Sequence, residues 1–118
     1  MNTILEMHRQ AIARADDAFA ARRNGDTEAA TRLFRDAFRF ERMAAEQSDT
    51  EGQLEPTRSV LYRSAATLAL DCGEFREAER LAARGLGGSP PDDVAEELRD
   101  VLEQVYQLWP SRPARAAV

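Results

Sequence analysis

A short pattern that occurs twice constrains the fold of this chain more than any other feature of its sequence. Each copy is centred on a glycine followed by an acidic residue, Gly25 and Asp26 in the first and Gly73 and Glu74 in the second. A small residue stands seven positions before each glycine, and an alanine stands five positions after it. Small or apolar residues follow at helical spacing. This arrangement predicts a helix, a tight turn and an antiparallel helix, formed twice.

The spacing has a physical reason, because two helices approach closely only where the facing side chains are small. We therefore expect small residues of the first helix to face small residues of the second, with Phe34 filling the remaining gap. These residues are Ala18 and Ala21 on the first helix, and Ala30 and Ala37 on the second. We expect Gly25 and Gly73 to adopt the left-handed conformation that commonly follows the end of a helix. The acidic residue after each glycine then begins the next helix, near its positive end.

The second copy matches a known repeat over about one repeat length, with Tyr62, Ala65, Ala66, Ala69, Gly73, Glu74, Phe75, Glu77, Ala78, Leu81, Leu86 and Pro90. These segments resemble tetratricopeptide repeats. The first copy keeps Gly25, Asp26, Ala30, Phe34 and Ala37, but it has no large aromatic residue near its start and no proline at its close. The two central glycines lie 48 residues apart, against about 34 for abutting repeats. We therefore expect longer helices, a longer connection, or both.

Apolar residues recur at helical spacing in five segments, four of them near 2–23, 26–47, 56–72 and 75–86 and the last after residue 89. No stretch alternates with period two for long enough to indicate a strand. We predict an all-α fold with two antiparallel helical hairpins plus a C-terminal capping helix, arranged as a short right-handed array like that of tetratricopeptide repeats. The domain is expected to cover 1–109, with 110–118 as a disordered tail.

The last helix carries clear start signals and an apolar stripe. Ser89 is predicted to cap it, with Pro90 and Pro91 in positions whose amides need no partner and Asp92 completing a capping box. We expect the stripe to cover the apolar edge of the second hairpin. Its members are Val94, Leu98, Val101, Val105 and Leu108, with Leu102 and Trp109 beside it.

A second fold is compatible with part of the chain. The first hairpin also resembles a microtubule-interacting and trafficking domain, a three-helix bundle that binds helical peptides between its helices. The residues of this resemblance are Ala11, Ala15, Gly25, Asp26, Ala29, Ala30, Leu33, Phe34 and Ala37. Two hairpins followed by a capping helix exceed that bundle, so we prefer the repeat interpretation. Both resemblances imply recognition of a partner.

The charge pattern argues against several classes of function. The chain has a net charge of −5 and no lysine, and its acidic excess lies in the second half. Nucleic-acid binding relies on basic surfaces, so we do not expect it. The start of the chain lacks a secretory apolar core, and no apolar run approaches a membrane span. A single cysteine indicates a reducing compartment. We therefore expect a cytoplasmic protein, bacterial by its Arg and Ala usage.

Candidate catalytic residues are few. The chain has one histidine, His8, and one cysteine, Cys72, too few for a zinc site or for the paired motifs of a di-metal bundle. Cys72 is predicted to end a helix, where the helix dipole disfavours a thiolate. Antiparallel pairing of the first two helices places His8 near Glu41. We predict no enzymatic activity, no cofactor and no metal.

The resemblance to tetratricopeptide repeats implies a concave groove lined by the first helix of each hairpin. The groove positions carried over by spacing are Ile12, Ala15, Phe19, Arg22 and Arg23 from the first repeat, and Val60, Arg63, Thr67 and Asp71 from the second. We expect Phe19, Arg22, Arg23, Arg63 and Thr67 to bind an extended peptide or helix of a partner protein. Because guanidinium groups bind carboxylates, the expected ligand is an acidic-apolar segment.

Self-assembly is the alternative function. Two hairpins and a cap fall short of the three repeats that usually make a stable array. Phe40 and Met43 lie three residues apart, off the main apolar stripe of the second helix. They either pack against Ile4, Leu5 and Met7 at the start of the first helix or form an exposed patch. An exposed patch would favour a homodimer across the first hairpin.

Overall fold

The computed structural model describes residues 3–109, and their fold is all-helical, as predicted. About 82% of these residues are helical, and the described part contains no strand. The helices are α1 (Ile4–Arg23), α2 (Thr27–Thr50), α3 (Thr57–Asp71), α4 (Phe75–Leu86) and α5 (Asp92–Leu108). None of them is both long enough and apolar enough to cross a membrane. The predicted tail at 110–118 lies outside the described residues.

The two predicted hairpin turns have the same backbone conformation. Gly25 and Gly73 both have φ of 78°, in the left-handed region that favours glycine. The residue after each glycine donates its amide hydrogen to a carbonyl five residues earlier, over 2.9 Å at Asp26 and 2.8 Å at Glu74. These bonds satisfy helix carbonyls that would otherwise lack partners. The turn that ends α2, with Gly52 at φ of 67°, repeats the pattern.

The starts of the helices agree with the sequence in part. The Asp26 side chain caps α2 by accepting a hydrogen bond from the Ala29 amide over 3.1 Å. Glu74 occupies the N-cap position of α4 without such a bond. The prediction that Ser89 caps α5 is wrong, because the N-cap is Pro91 and Asp92 is the first helical residue. A residue that precedes proline avoids the helical conformation, which excludes both Ser89 and Pro90 from the helix.

The large separation between the two central glycines has two causes. α2 has 24 residues, whereas its counterpart α4 has 12. A connection over 51–56 then joins α2 to α3. The sequence predicted that α2 would end near residue 47, but the polar residues that follow continue the helix to Thr50.

Consecutive helices pack against one another, and α5 also contacts α3. Alanines fill the tight places, since Ala18 and Ala37 are fully buried and Ala30 nearly so, around the fully buried ring of Phe34. The helix α1 does not bury all of its apolar side chains. Its buried residues are Met7, Ala11 and Ala18, whereas Leu5, Ile12 and Phe19 on its flank are substantially exposed.

The helix α5 covers the second hairpin as predicted, with Val94, Leu98, Val101 and Val105 buried. Leu108 was assigned to the same stripe, and this is wrong because the side chain is 55% exposed. Close packing here depends on Gly85 in α4. A Cβ at that position would lie 3.0 Å from the Leu98 side chain and 3.0 Å from Tyr62 Cβ. Because Gly85 has no side chain, α5 can pack closely against α4.

Candidate functional site

A groove of about 500 Å³ lies between α1 and α3, and Glu97 of α5 lines it as well. From α1, the apolar side chains of Ile12 and Phe19 line the groove and remain 48% and 41% exposed. From α3, Thr67 and Leu68 line the opposite wall. Large apolar side chains of a folded domain are usually buried, so this wall offers contact area for a ligand.

The structure brings together three of the five predicted partner-binding residues. Phe19, Arg63 and Thr67 all line the groove. Arg22 lies beside it, stacked over the buried ring of Phe34 with its guanidinium carbon 4.4 Å from the ring centroid. Arg23 is exposed in the last turn of α1 and does not line the groove.

The two arginines closest to the groove already have acidic partners in this chain. Arg63 Nη1 lies 3.2 Å from Glu97 Oε2, which joins α3 to α5. Arg22 Nη2 lies 3.6 Å from Asp71 Oδ1, which joins α1 to α3. Burial raises the pKa of Asp71 despite this arginine. Because these guanidinium groups already bind carboxylates of the chain, they are less available to bind an acidic ligand than the sequence predicted.

A histidine and a buried glutamate lie in the same groove. His8 Nδ1 is 2.9 Å from Glu41 Oε2 and 3.0 Å from Oε1, which confirms the predicted pairing of these residues. The Glu41 side chain is 3% exposed, against 33% for His8. Burial raises the pKa of Glu41, although the hydrogen bond and charge of His8 and the charge of Arg63 oppose this. The pair joins α1 to α2 beneath the groove.

A second, more apolar depression of about 400 Å³ continues the groove toward the start of α1. His8 lines both regions, and Leu5 and Val60 contribute apolar walls to the second. Val60 was predicted as a groove residue, whereas Leu5 was not. The available signal was the exact spacing of seven residues that separates Leu5, Ile12 and Phe19.

The predicted dimer patch is only partly exposed. Met43 is 45% exposed and lines a surface depression together with Met7. Phe40 is half-buried, with the guanidinium carbon of Arg14 5.6 Å from its ring centroid. The two side chains therefore do not form a bare apolar surface.

A polar cluster that the sequence analysis missed joins three helices away from the groove. Asp49 of α2 accepts hydrogen bonds from Tyr62 Oη and Arg58 Nε of α3, both over 2.5 Å, and from Arg84 Nε of α4 over 3.2 Å. Burial alone would raise the pKa of Asp49, but the three hydrogen bonds outweigh it and lower the pKa. Burial and the Asp49 carboxylate raise the pKa of Tyr62 to about 12. This cluster holds the hairpins together.

The two residues with catalytic potential, Cys72 and His8, are buried or engaged with another residue. Cys72 is buried, and burial raises the pKa of its thiol. His8 is engaged with Glu41. Within residues 3–109, no three His, Cys, Asp or Glu side chains are grouped so that they could hold a metal ion.

Comparisons with known proteins do not extend this description. No family model matches the chain, and neither the curated proteins nor the solved structures contain a significant match.

Proposed function

We propose that this chain is a non-catalytic protein–protein interaction module that binds a peptide or helix of a partner through the groove between α1 and α3. One observation carries the proposal. Ile12 and Phe19 expose large apolar surfaces along a groove whose opposite wall is formed by α3. Exposed apolar side chains that line a concave surface favour ligand contact, because a ligand removes them from water.

We also propose that the fold is a degenerate tetratricopeptide-like array. The identical conformations of the turns at Gly25 and Gly73 support this assignment. The groove then corresponds to the concave side of the array, where the first helices of successive hairpins lie next to each other. The cap formed by α5 adds Glu97 to one edge of this surface.

Affinity capture with matched variants tests the proposal. The bait is the full chain, compared with a double variant that carries Ile12→Glu and Phe19→Glu. The control is Leu54→Glu, because Leu54 is 80% exposed and lies outside the groove. We expect a specific partner to be lost from the double variant and retained by the control, with direct binding then measured on the purified pair. Equal capture by all three baits would contradict the groove assignment.

Homodimerisation is the second candidate function, and the exposed side chain of Met43 favours it. Static light scattering on the pure protein reports the oligomeric state directly. If the patch mediates a dimer, Met43→Glu converts the dimer to a monomer, because a carboxylate in an apolar interface lacks a partner. A wild-type monomer over the accessible concentration range would rule out this candidate.

We propose a cytoplasmic location, a partner that is neither a nucleic acid nor a membrane, and a bacterial source. The single cysteine supports a reducing compartment, because it cannot form an internal disulfide. The net charge of −5 opposes binding to phosphate backbones and anionic lipids. The hydrogen bond of His8 to Glu41 and the burial of Cys72 support a non-catalytic role.

A further inference from the structure

The exposed apolar side chains of α1 form a heptad stripe. Leu5, Ile12 and Phe19 lie seven residues apart and are 55%, 48% and 41% exposed. His8 and Ala15 follow the first two at a spacing of three and line the same continuous groove. Alternating spacings of three and four produce the contact seam of paired helices. We call these five residues the α1 seam.

The dimensions of the α1 seam suit a helix lying along it. The distance from Leu5 to Phe19 corresponds to about 21 Å at a rise of about 1.5 Å per residue. The two depressions of the groove meet at His8 and together follow this length. A helix that docks in a groove is recognised by apolar anchors on one of its faces. An amphipathic helix with the same heptad spacing would match these anchors one by one.

The charge of the groove identifies the polar face of such a helix. Among the carboxylates of the groove lining, Glu41 is buried against His8 and Asp71 is paired with Arg22, so Glu97 is the exposed acid of this surface. Arg63 is paired with Glu97. On α5, Asp93 and Asp100 lie one helical turn from Glu97, on the same side of the helix, and both are exposed. The α5 edge is therefore acidic, and it attracts a basic ligand.

Helices α2 to α5 of a second copy do not supply a matching helix. They bury their own apolar stripes in the core, and the exposed face of α5 is acidic rather than basic. An acidic helix placed beside Asp93, Glu97 and Asp100 would be repelled. The α1 seam of a second copy is the competing occupant, and the oligomeric state of an Ile12→Glu variant tests it.

We infer that the α1 seam binds an amphipathic helix of another protein, with apolar residues at heptad spacing facing α1 and basic residues facing the acidic edge of α5. This inference rests on the proposed function and names the chemical class of the partner. It replaces the acidic-apolar segment with a basic-apolar one.

Two synthetic peptides test the inference on the full chain. Both contain three heptads, about 21 residues, with leucine at the a and d positions. One carries arginine at the flanking positions and the other carries glutamate. We expect the basic peptide to bind at least about tenfold more tightly in fluorescence anisotropy. Its affinity should fall as salt rises from about 0.05 M to about 0.5 M, since added ions screen exposed charges.

Two sets of variants locate the binding site. Ile12→Ala should weaken binding of the basic peptide about tenfold, whereas Leu54→Ala should not change it.

The second set removes the acidic edge of α5. A triple variant that carries Asp93→Asn, Glu97→Gln and Asp100→Asn should also weaken binding of the basic peptide and should flatten the salt dependence of its affinity. Circular dichroism confirms that each variant keeps its helical content. The matched control is the triple variant Asp92→Asn, Glu96→Gln and Glu103→Gln, which removes three exposed acids from a face of α5 that does not carry Glu97. This control should weaken binding of the basic peptide less.

Each outcome has a defined meaning. Tighter binding of the glutamate peptide with sensitivity to Ile12→Ala would overturn the basic-helix inference and leave the groove as the binding site. Binding of the arginine peptide without sensitivity to Ile12→Ala would overturn the inference and the groove together. Failure of both peptides to bind would overturn the inference, while affinity capture with the Ile12 and Phe19 variant separately decides the proposed function. A dimer abolished by Ile12→Glu would identify the occupant as a second copy and overturn the inference.

Discussion

Asp49 shows how one carboxylate can connect three helices. It lies in the last turn of α2 and accepts hydrogen bonds from α3 and α4. We expect Asp49→Asn to lower the free energy of unfolding by about 1.5–3 kcal/mol, because hydrogen bonds to a charged group are the stronger ones. Tyr62→Phe removes one donor and should cost about 1 kcal/mol. Urea denaturation measures both, and equal stability of Asp49→Asn and wild type would contradict the role of the cluster.

The lowered pKa of Asp49 predicts a direction for the pH dependence. The unfolded chain binds this proton at a pKa near 3.8, and the folded chain binds it only at lower pH. The stabilisation is therefore complete above the unfolded pKa, and it is lost as pH falls through the folded pKa. The stability difference between wild type and Asp49→Asn should shrink as the pH falls below about 4. A difference that stays constant down to the acid transition would be inconsistent with this account.

The pair of His8 and Glu41 should respond unequally to its two truncations. His8→Ala leaves the buried Glu41 carboxylate without its hydrogen bond, at a cost of about 1–3 kcal/mol. Glu41→Gln removes the buried charge and should cost less, since His8 keeps access to water. The raised pKa of Glu41 also means that the folded state takes up a proton first, so its contribution to stability grows as the pH falls toward 4.5. Thermal unfolding near neutral pH compares the melting temperatures of the two variants. A larger decrease for Glu41→Gln than for His8→Ala would contradict this account.

The His8–Glu41 pair and the Asp49 cluster differ in how far the sequence could predict them. The contact between His8 and Glu41 follows from the antiparallel pairing of α1 and α2 about the turn at Gly25, which fixes their register. The Asp49 cluster forms because α2 continues through a polar stretch to Thr50 and because α3 and α4 then pack against the end of α2. No local pattern encodes such long-range polar contacts.

At the scale of helices, close packing between α4 and α5 depends on Gly85. Alanine has a higher helix propensity by about 1 kcal/mol, but its Cβ would lie 3.0 Å from Tyr62 Cβ, which is attached to the backbone and cannot easily move. We expect Gly85→Ala to lower stability by about 1 kcal/mol, because overpacking costs about 1–3 kcal/mol and the gain in helix propensity offsets about 1 kcal/mol of this. Gly87→Ala is the control, because a Cβ there makes only ordinary contacts. Gly85→Ala as stable as wild type in urea would show that α5 can shift freely.

Two leucines of α5 provide a matched test of its role as a cap. Leu98 is fully buried, whereas Leu108 is 55% exposed, although the sequence placed both on one stripe. Leu98→Ala should cost about 2–5 kcal/mol, and Leu108→Ala should change stability by no more than about 0.5 kcal/mol. Similar effects of the two substitutions in denaturant unfolding would contradict the observed orientation of α5.

The sequence predicted the number and order of the helices because periodicity and glycine turns are local signals. The bounds of α4 were predicted correctly for this reason. The start of α5 was not, since the consecutive prolines at 90 and 91 moved the first helical residue past the expected cap at Ser89. Leu108 was misplaced because a stripe shows which side chains share a face, but not how far the neighbouring helices extend.

At the scale of the whole molecule, the packing of the helices leaves an open groove between α1 and α3. The sequence predicted Phe19, Arg63 and Thr67 as groove residues, and all three line it. The electrostatic character of the groove could not be predicted in the same way. It depends on the packing of α5, which brings Glu97 to Arg63 across 34 residues of sequence. The sequence predicted a basic groove, whereas the structure has an apolar α1 seam beside the acidic edge of α5.

The central claim is that the α1 seam and the facing wall of α3 form the binding surface. A backbone amide chemical-shift map of the full chain, titrated with the arginine heptad peptide, tests this claim most directly. We expect the largest shifts at Leu5, Ile12 and Phe19 and at Thr67, with small shifts on the outer face of α2 around Met43. Shifts confined to the outer face of α2, or no shifts in α1 and α3 at saturating peptide, would contradict the account.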